Sequence, residues 1–403
     1  MTDDPTPSLP APTPLPYHVA IVNWFKTEEP EIWKWASSAQ ARNEYSDQIR
    51  SELLKETYRL DREAHPELHR CCKAAADRLG LDLPFTLYQS GDGQMNAALY
   101  FVPGEAHIVF SGPILERLQG AELEAVLGHE LSHYLLWELE GGVYHAADRV
   151  LNAVALDPRS NVSHQHTARL YRLYTEVFAD RGGAVACGAL LPAVSALVKM
   201  QTGLTEVSSV NYLKQADEIC APGKLTSNGG SHPEIFIRAR ALRLWCEVDS
   251  ESEDWLISAL QGPLSLDQLD LLGQKKLASI TQLVLGQMLN MKCLQTETML
   301  AHARRFFPNF KVNKVSDPLL ETEIKSSKGI HEYVAYLLAD FSVVDRDLEN
   351  IPIAASLLLA QRLGISDTFE RIALKDLALP KRQFTKLKQD AEALVAKAEN
   401  SSA

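Results

Sequence analysis

The sequence predicts a mainly α-helical protein carrying one small antiparallel β-sheet, joined to an all-helical C-terminal domain. Three observations carry this prediction. Apolar residues recur at three and four spacing through most of the chain, the period of a helix with one buried face. Only the stretch from Leu83 to Gly112 is dense in aromatic and β-branched residues. Beyond the acidic run "EVDSESED" (Glu247 to Asp254) all the text reads as helix again. A chain of 403 residues, 46% hydrophobic and 23% charged, is long enough for two packed cores and has the balance of a globular protein.

The first thirty residues open with "MTDDPTPSLPAPTPLPYH", with prolines at 5, 7, 10, 12, 14 and 16. Two acids stand where a signal peptide is basic, and no apolar core follows, so residues 1–30 are expected to be a disordered proline-rich lead. Residues 31–79 are rich in Glu, Lys, Arg, Leu and Ala and should be helical. "LPFTLYQS" and "NAALYFVPGEAHIVFSG" should form the antiparallel sheet, turning at Pro103-Gly104. "GPILERLQG" gives a short helix, and "AELEAVLGHELSHYLLWELEGG" a longer one ended by Gly141-Gly142. Residues 157–167 are polar and irregular, with a further helix from Ala168 past Asp180. "GGAVACGALLPAVSALVKM" (Gly182 to Met200) reads as a buried core helix, since Pro192 and Lys199 leave it short of the roughly twenty apolar residues a bilayer requires. A "SNGGSHP" turn then leads into "EIFIRARALRLW", with Pro233 suited to a first helical turn. The expected domains are 31–249 and 250–403, the second broken near Gly262-Pro263, Pro308, Ser326 to Gly329, Gly364 and Pro380.

A net charge of -12 argues against general affinity for nucleic acid or anionic lipid. Six cysteines without C-x-x-C spacing suit a reducing compartment, and the expected location is the cytoplasm.

The chemistry lies in "AVLGHELSHYLL" (Ala125 to Leu136). His129 and His133 stand four apart, so on a helix both imidazoles reach one ion, and Glu130 can hold and deprotonate a water on that ion. The surrounding Ala125, Val126, Leu127, Leu131, Leu135 and Leu136 place this group in a largely buried helix. Burying a carboxylate and two imidazoles without a partner is costly, and a metal supplies one. Catalytic zinc takes three protein ligands and leaves a fourth position to water. The metzincin extension is excluded by Leu136 and Leu139. Candidates for the third ligand are His145, His164, His166 and the carboxylates of "YTEVFADRGG". There Glu176 and Asp180 share a helix face, so one can bind metal while the other accepts the ring N–H of a ligand histidine. Glu176 is the favoured ligand, with His164 or His166 as rivals in a polar loop, and Asp180 is the expected orienter.

His129-Glu130-x-x-His133, then Glu176-x-x-Ala179-Asp180, then Ser231-His232-Pro233 with Arg238 five residues after the proline, resembles the zinc peptidase family that includes the heat-shock protease HtpX and the CAAX prenyl protease. The likeness spans roughly residues 60 to 245 and includes the strand beginning Asn96-Ala97. It implies a zincin-like fold with one zinc on His129, His133 and Glu176, and Glu130 as general base. It further implies that His232 and Asn96 approach the substrate carbonyl or the developing oxyanion. Arg238 would pair with a carboxylate near the site. The hydrophobic spans of the membrane-bound members are missing, so the likeness is to the soluble ones.

Within the C-terminal helices, Leu337 to Ile372 resembles the tellurite-resistance TerB-type domain, in which a helix, an acidic turn and a helix ending in Leu-Gly-Ile recur. Asp345, Asp347 and Glu349 alternate as in a calcium loop, but Asn350 and Ser356 stand where an EF-hand needs glycine and glutamate. The turn is read as a solvated acidic one, and the domain as a regulatory or partner-binding module. The expected function is that of a zinc metallo-endopeptidase acting on protein substrates, with protein quality control as the expected setting. The rival is a non-hydrolytic, zinc-stabilised stress-response scaffold or holdase.

Overall fold

The computed structural model describes residues 9–38, 40, 46–91, 93–221, 223, 225–312 and 317–401. The chain divides into two compact units, Met1–Gly262 and Pro263–Ala403. The first unit holds α1 (Pro16–Glu28), α2 (Pro30–Ala36), α3 (Ser46–Glu56), β1 (Tyr58–Arg59), α4 (Pro66–Arg78), β2 (Phe85–Gln89), β3 (Asn96–Val102) and β4 (Glu105–Ser111). There follow α5 (Ile114–Arg117), α6 (Ala121–Glu138), α7 (Val143–Leu156), α8 (Val162–Cys187), α9 (Leu190–Thr202), α10 (Ser209–Cys220), α11 (Ile235–Cys246) and α12 (Ser252–Gln261).

The sheet has the order β1-β2-β4-β3. Strands β3 and β4 form the expected antiparallel hairpin, with Asn96 opposite Ser111. The sheet is nevertheless mixed, because β4 returns between β3 and β2 and therefore pairs parallel to β2. This leaves β3 as an edge strand with one row of backbone groups unpaired within the sheet.

Several other expectations need correction. Of the supposed disordered lead, residues 1–8 lie outside the described residues, and α1 occupies Pro16–Glu28. Pro16 sits in its first turn, where the missing N–H costs nothing, and Tyr17, Ile21, Val22 and Phe25 are buried. Residues 31–79 are not one helical stretch, since β1 pairs with β2. Helix α8 begins at Val162 rather than Ala168, because the Asn161 side chain caps it by accepting from the Ser163 N–H. The apolar run 182–200 is two helices: Gly188, at φ +76°, ends α8 before α9 begins. Among the described residues no helix is long and apolar enough to cross a membrane. The division between units falls after α12, not at 249. Arg181 on α8 is buried and pairs with Glu253 at 2.7 Å, which fastens α12 to the first unit.

Helices α6 and α8 form the centre of the first unit and approach closely because of three glycines. A Cβ on Gly128 would lie 2.1 Å from that of Ala186, and one on Gly183 would lie 2.7 Å from the Ala125 carbonyl oxygen. One on Gly182 would fall 1.7 Å from Ser132 Oγ. Any larger residue at these points would force the two helices apart. The second unit is all helical among its described residues, with a core around Leu338, Phe341, Phe369 and Phe384. Its acidic turn is only partly solvated: Asp347 and Glu349 are exposed, but Asp345 is buried and accepts from Thr296 Oγ1 at 2.6 Å.

Candidate active site

Helix α6 places His129 and His133 one turn apart on the face that meets α8. His133 Nε2 lies 3.3 Å from His129 Nε2. Glu176, on the facing turn of α8, brings Oε2 to 3.5 Å from His129 Nε2 and Oε1 to 3.7 Å from His133 Nε2. Among the described residues, His129, His133 and Glu176 are the group whose donor atoms converge as metal ligands do.

The donor set fits a tetrahedral cation. Two donors at zinc-ligand lengths of about 2.0–2.1 Å and a tetrahedral angle stand about 3.3–3.4 Å apart, close to the spacings here. Glu176 Oε2 is buried with no hydrogen bond, an orphan that a cation would satisfy. The charges agree: three buried carboxylates (Glu130, Glu176, Asp180) surround this point with Arg238 as their fixed cation, and a divalent ion would balance the remaining two charges.

Asp180, one turn beyond Glu176, accepts from His129 Nδ1 at 3.1 Å. That contact fixes the Nδ1–H tautomer and turns the Nε2 lone pair toward His133 and Glu176. Arg238 from α11 grips Asp180 with two hydrogen bonds, Nε at 2.8 Å and Nη2 at 2.6 Å, and its Nη2 lies 3.4 Å from Glu176 Oε2. Burial opposes the charge on all of these groups, yet Arg238 and His129 hold the carboxyls of Glu176 and Asp180 below the usual carboxylate range. Burial would likewise lower His129, but its contacts with Asp180 and Glu176 outweigh it and raise its pKa to about 10. His133 has no such carboxylate contact on its other nitrogen, and burial lowers it to about 4.

Glu130 is buried beside this group. Burial raises its pKa to about 7, the Leu99 backbone hydrogen bond and nearby His129 and Arg238 lowering it only in part. A carboxylate poised near neutrality suits proton transfer in both directions. Asn96, exposed at the start of β3, lines the same cavity as His129, Glu130, Glu176 and His232. His232 sits at the rim, its Nε2 3.4 Å from Glu176 Oε2 and its Nδ1 2.9 Å from Ser231 Oγ. Burial on its inner side lowers its pKa. Pro233 stands just before α11, whose N-cap is Glu234, rather than inside its first turn.

The rivals of Glu176 lie elsewhere. His145 packs between the rings of Phe101 and Trp137. His164 and His166 are already helical on α8, and being twelve and ten positions before Glu176 they sit about 18 and 15 Å away along the axis. Of two further contributors, Arg169 carried no sequence signal and Gly229 lies in the turn that SNGGSHP marks. Arg169 donates from Nε to the Gly229 carbonyl at 2.7 Å and from Nη2 to that of Ser227 at 2.5 Å, pinning the loop that presents His232. Gly229 closes that loop, for a Cβ there would lie 1.9 Å from the His232 carbonyl oxygen.

Comparison with curated proteins finds no match. Residues 62–246, which hold every residue described in this site, match the sequence profile of peptidase family M48. Through that segment the chain is similar to peptidase family M48, a likeness that supports a metallopeptidase acting on protein substrates.

Proposed function

We propose that the chain is a zinc-dependent endopeptidase whose zinc is held by His129, His133 and Glu176. The observation that supports this most is the convergence of those three side chains, with Glu130 buried next to them and an edge strand alongside. When bound, zinc supplies Lewis acidity, polarising the scissile carbonyl and lowering the pKa of water. The peptide lies against the outer edge of β3, whose free backbone groups accept an added strand. Glu130 takes a proton from the attacking water and delivers it to the departing amine as the C–N bond breaks, so that the hydroxyl ends on the acyl product. Asn96 and His232 donate toward the oxygen that gains charge, an interaction that strengthens only in the transition state. Asp180 and Arg238 act through His129 by fixing its ring. The cleft is open past Met200 toward Gly203, which suits the interior of a polypeptide rather than its end.

Hydrolysis of unfolded casein before and after chelation tests the reading. Activity should vanish as zinc is removed and return with about one zinc per chain. Hydrolysis that survives complete removal would contradict it, and a zinc-bound protein that never cleaves would favour the holdase.

A further inference from the structure

Helix α1 reaches the metal ligands from behind, and the mechanism above makes no use of it. Its residues lie outside the segment 62–246 that matches the peptidase profile. Tyr17 stacks on Tyr174 of α8, with ring centroids 4.8 Å apart and planes 8° from parallel. His18, the next residue, is fully buried, and its Nε2 lies 3.2 Å from Thr175 Oγ1. Thr175 immediately precedes Glu176 on α8 and lines the groove beside it. Two neighbours on α1 thus hold two neighbours on α8, next to a metal ligand.

The hydrogen bonds fix the state of the ring. The Leu15 N–H donates to His18 Nδ1 at 3.2 Å, which also caps α1, so the ring proton is on Nε2. Thr175 commits its own hydroxyl proton to the Tyr171 carbonyl at 2.9 Å, leaving its oxygen to accept from His18. Burial lowers the pKa of His18 to about 3, so the ring stays neutral at ordinary pH. A side chain needed only to fill this space among the rings of Tyr144, Tyr171 and Phe178 would be apolar, with no imidazole to desolvate. On the C-terminal side of Glu176, α8 is set against α6 by Gly182 and Gly183, six and seven positions on and so about 9–10 Å along the axis. On the N-terminal side that role falls to α1 and α7: His18 holds Thr175, and Tyr171 Oη donates to the Tyr144 carbonyl at 2.9 Å. Side chains that share an ion must be held to within about 0.5 Å. Resting on the peptidase reading above, we infer that α1 is part of the frame of the metal site and that His18 is a positioning residue, whose bond to Thr175 sets where α8 delivers Glu176.

The experiment measures the zinc affinity of the full-length protein by competition with a chromophoric chelator, well below the unfolding temperature. His18→Leu, of similar bulk but without a donor, should bind zinc about tenfold more weakly, the lower end of the loss that follows removal of an outer-shell partner. Thr175→Val removes the other half of the bond and leaves α1 unaltered, so it decides the matter even if His18→Leu does not fold. It should weaken zinc as much, and the double variant no further, since the same interaction is lost in all three. His18→Gln, whose amide N–H can stand in for that of Nε2, should restore most of the affinity. The visible spectrum of the cobalt(II)-loaded protein reads the geometry: it should change in His18→Leu and Thr175→Val and return in His18→Gln. Val22→Ala, buried a turn further along α1, is the control for stability alone and should lower the melting temperature with zinc affinity unchanged. A His18→Leu or Thr175→Val protein that melts lower, yet binds zinc and gives the cobalt spectrum of the wild type, would overturn the inference and leave His18 a core residue. Equal weakening by Val22→Ala, or additive losses in the double variant, would do the same. Should the wild type itself take up no zinc, the metal reading fails first, and His18 has nothing to position.

Discussion

At the scale of single residues, the site is a chain of fixed contacts running from Arg238 through Asp180 to His129. Its first two members are opposite charges, Asp180 buried and Arg238 largely so, that neutralise each other, so removing one strands the other. Arg238→Met should weaken zinc binding roughly 10–100-fold, as loss of an outer-shell partner does. It should also destabilise the protein by about 3–5 kcal/mol, the usual cost of breaking a buried pair. Competition with a chromophoric chelator reads the first effect, and unchanged affinity would show that Asp180 does not orient His129. Much of this was legible in sequence. The four-residue spacing on one helix brings His129 to His133 and Glu176 to Asp180 by helical geometry alone. Arg238 stands 58 residues from Asp180, so only the likeness to a known family could pair them. Arg169, which reaches backbone carbonyls across a loop, leaves no trace in any local pattern.

At the scale of elements, the distance between α6 and α8 decides whether His129 and Glu176 can share an ion. Gly128, Gly182 and Gly183 set that distance. Gly128→Val, one position before His129, should spread the helices at an overpacking cost of about 1–3 kcal/mol. Zinc affinity should fall even though no ligand is altered. Melting with and without added zinc checks this, and a variant that is destabilised yet binds zinc as tightly as before would show the site tolerates the shift. The sequence could place glycines in helices, but not name what they touch, because close approach is a property of the partner helix. The same limit explains the sheet. Alternation and turn residues located β2, β3 and β4, whereas the insertion of β4 between the other two, and hence its parallel pairing, is a matter of strand order that alternation does not encode.

At the scale of the whole molecule, every residue assigned to the site lies in the first unit, which ends at Gly262. A chain ending at Gly262 should keep zinc and casein hydrolysis. One ending at Asp249 should be less stable, because it strips Glu253 from the buried Arg181 and Trp255 from Arg240. Loss of zinc from a folded chain ending at Gly262 would mean that the C-terminal helices complete the site. The acidic run 247–254 misled as a boundary because charge marks exposed text, and an exposed turn can precede a helix that still packs inward, as α12 does. The C-terminal helices were legible as helices from their periodicity and breaks, while their role was not, since packing needs dominate their composition. The central claim is that Glu130 moves protons and does not hold metal. Paired zinc and casein assays on Glu130→Gln and Glu176→Gln test it most directly. Glu130→Gln should keep zinc near the wild-type level while turnover falls at least about a hundredfold, and Glu176→Gln should lose zinc, an amide being the poorer ligand. A Glu130→Gln protein that lost its zinc, or cleaved casein as fast as wild type, would contradict the claim.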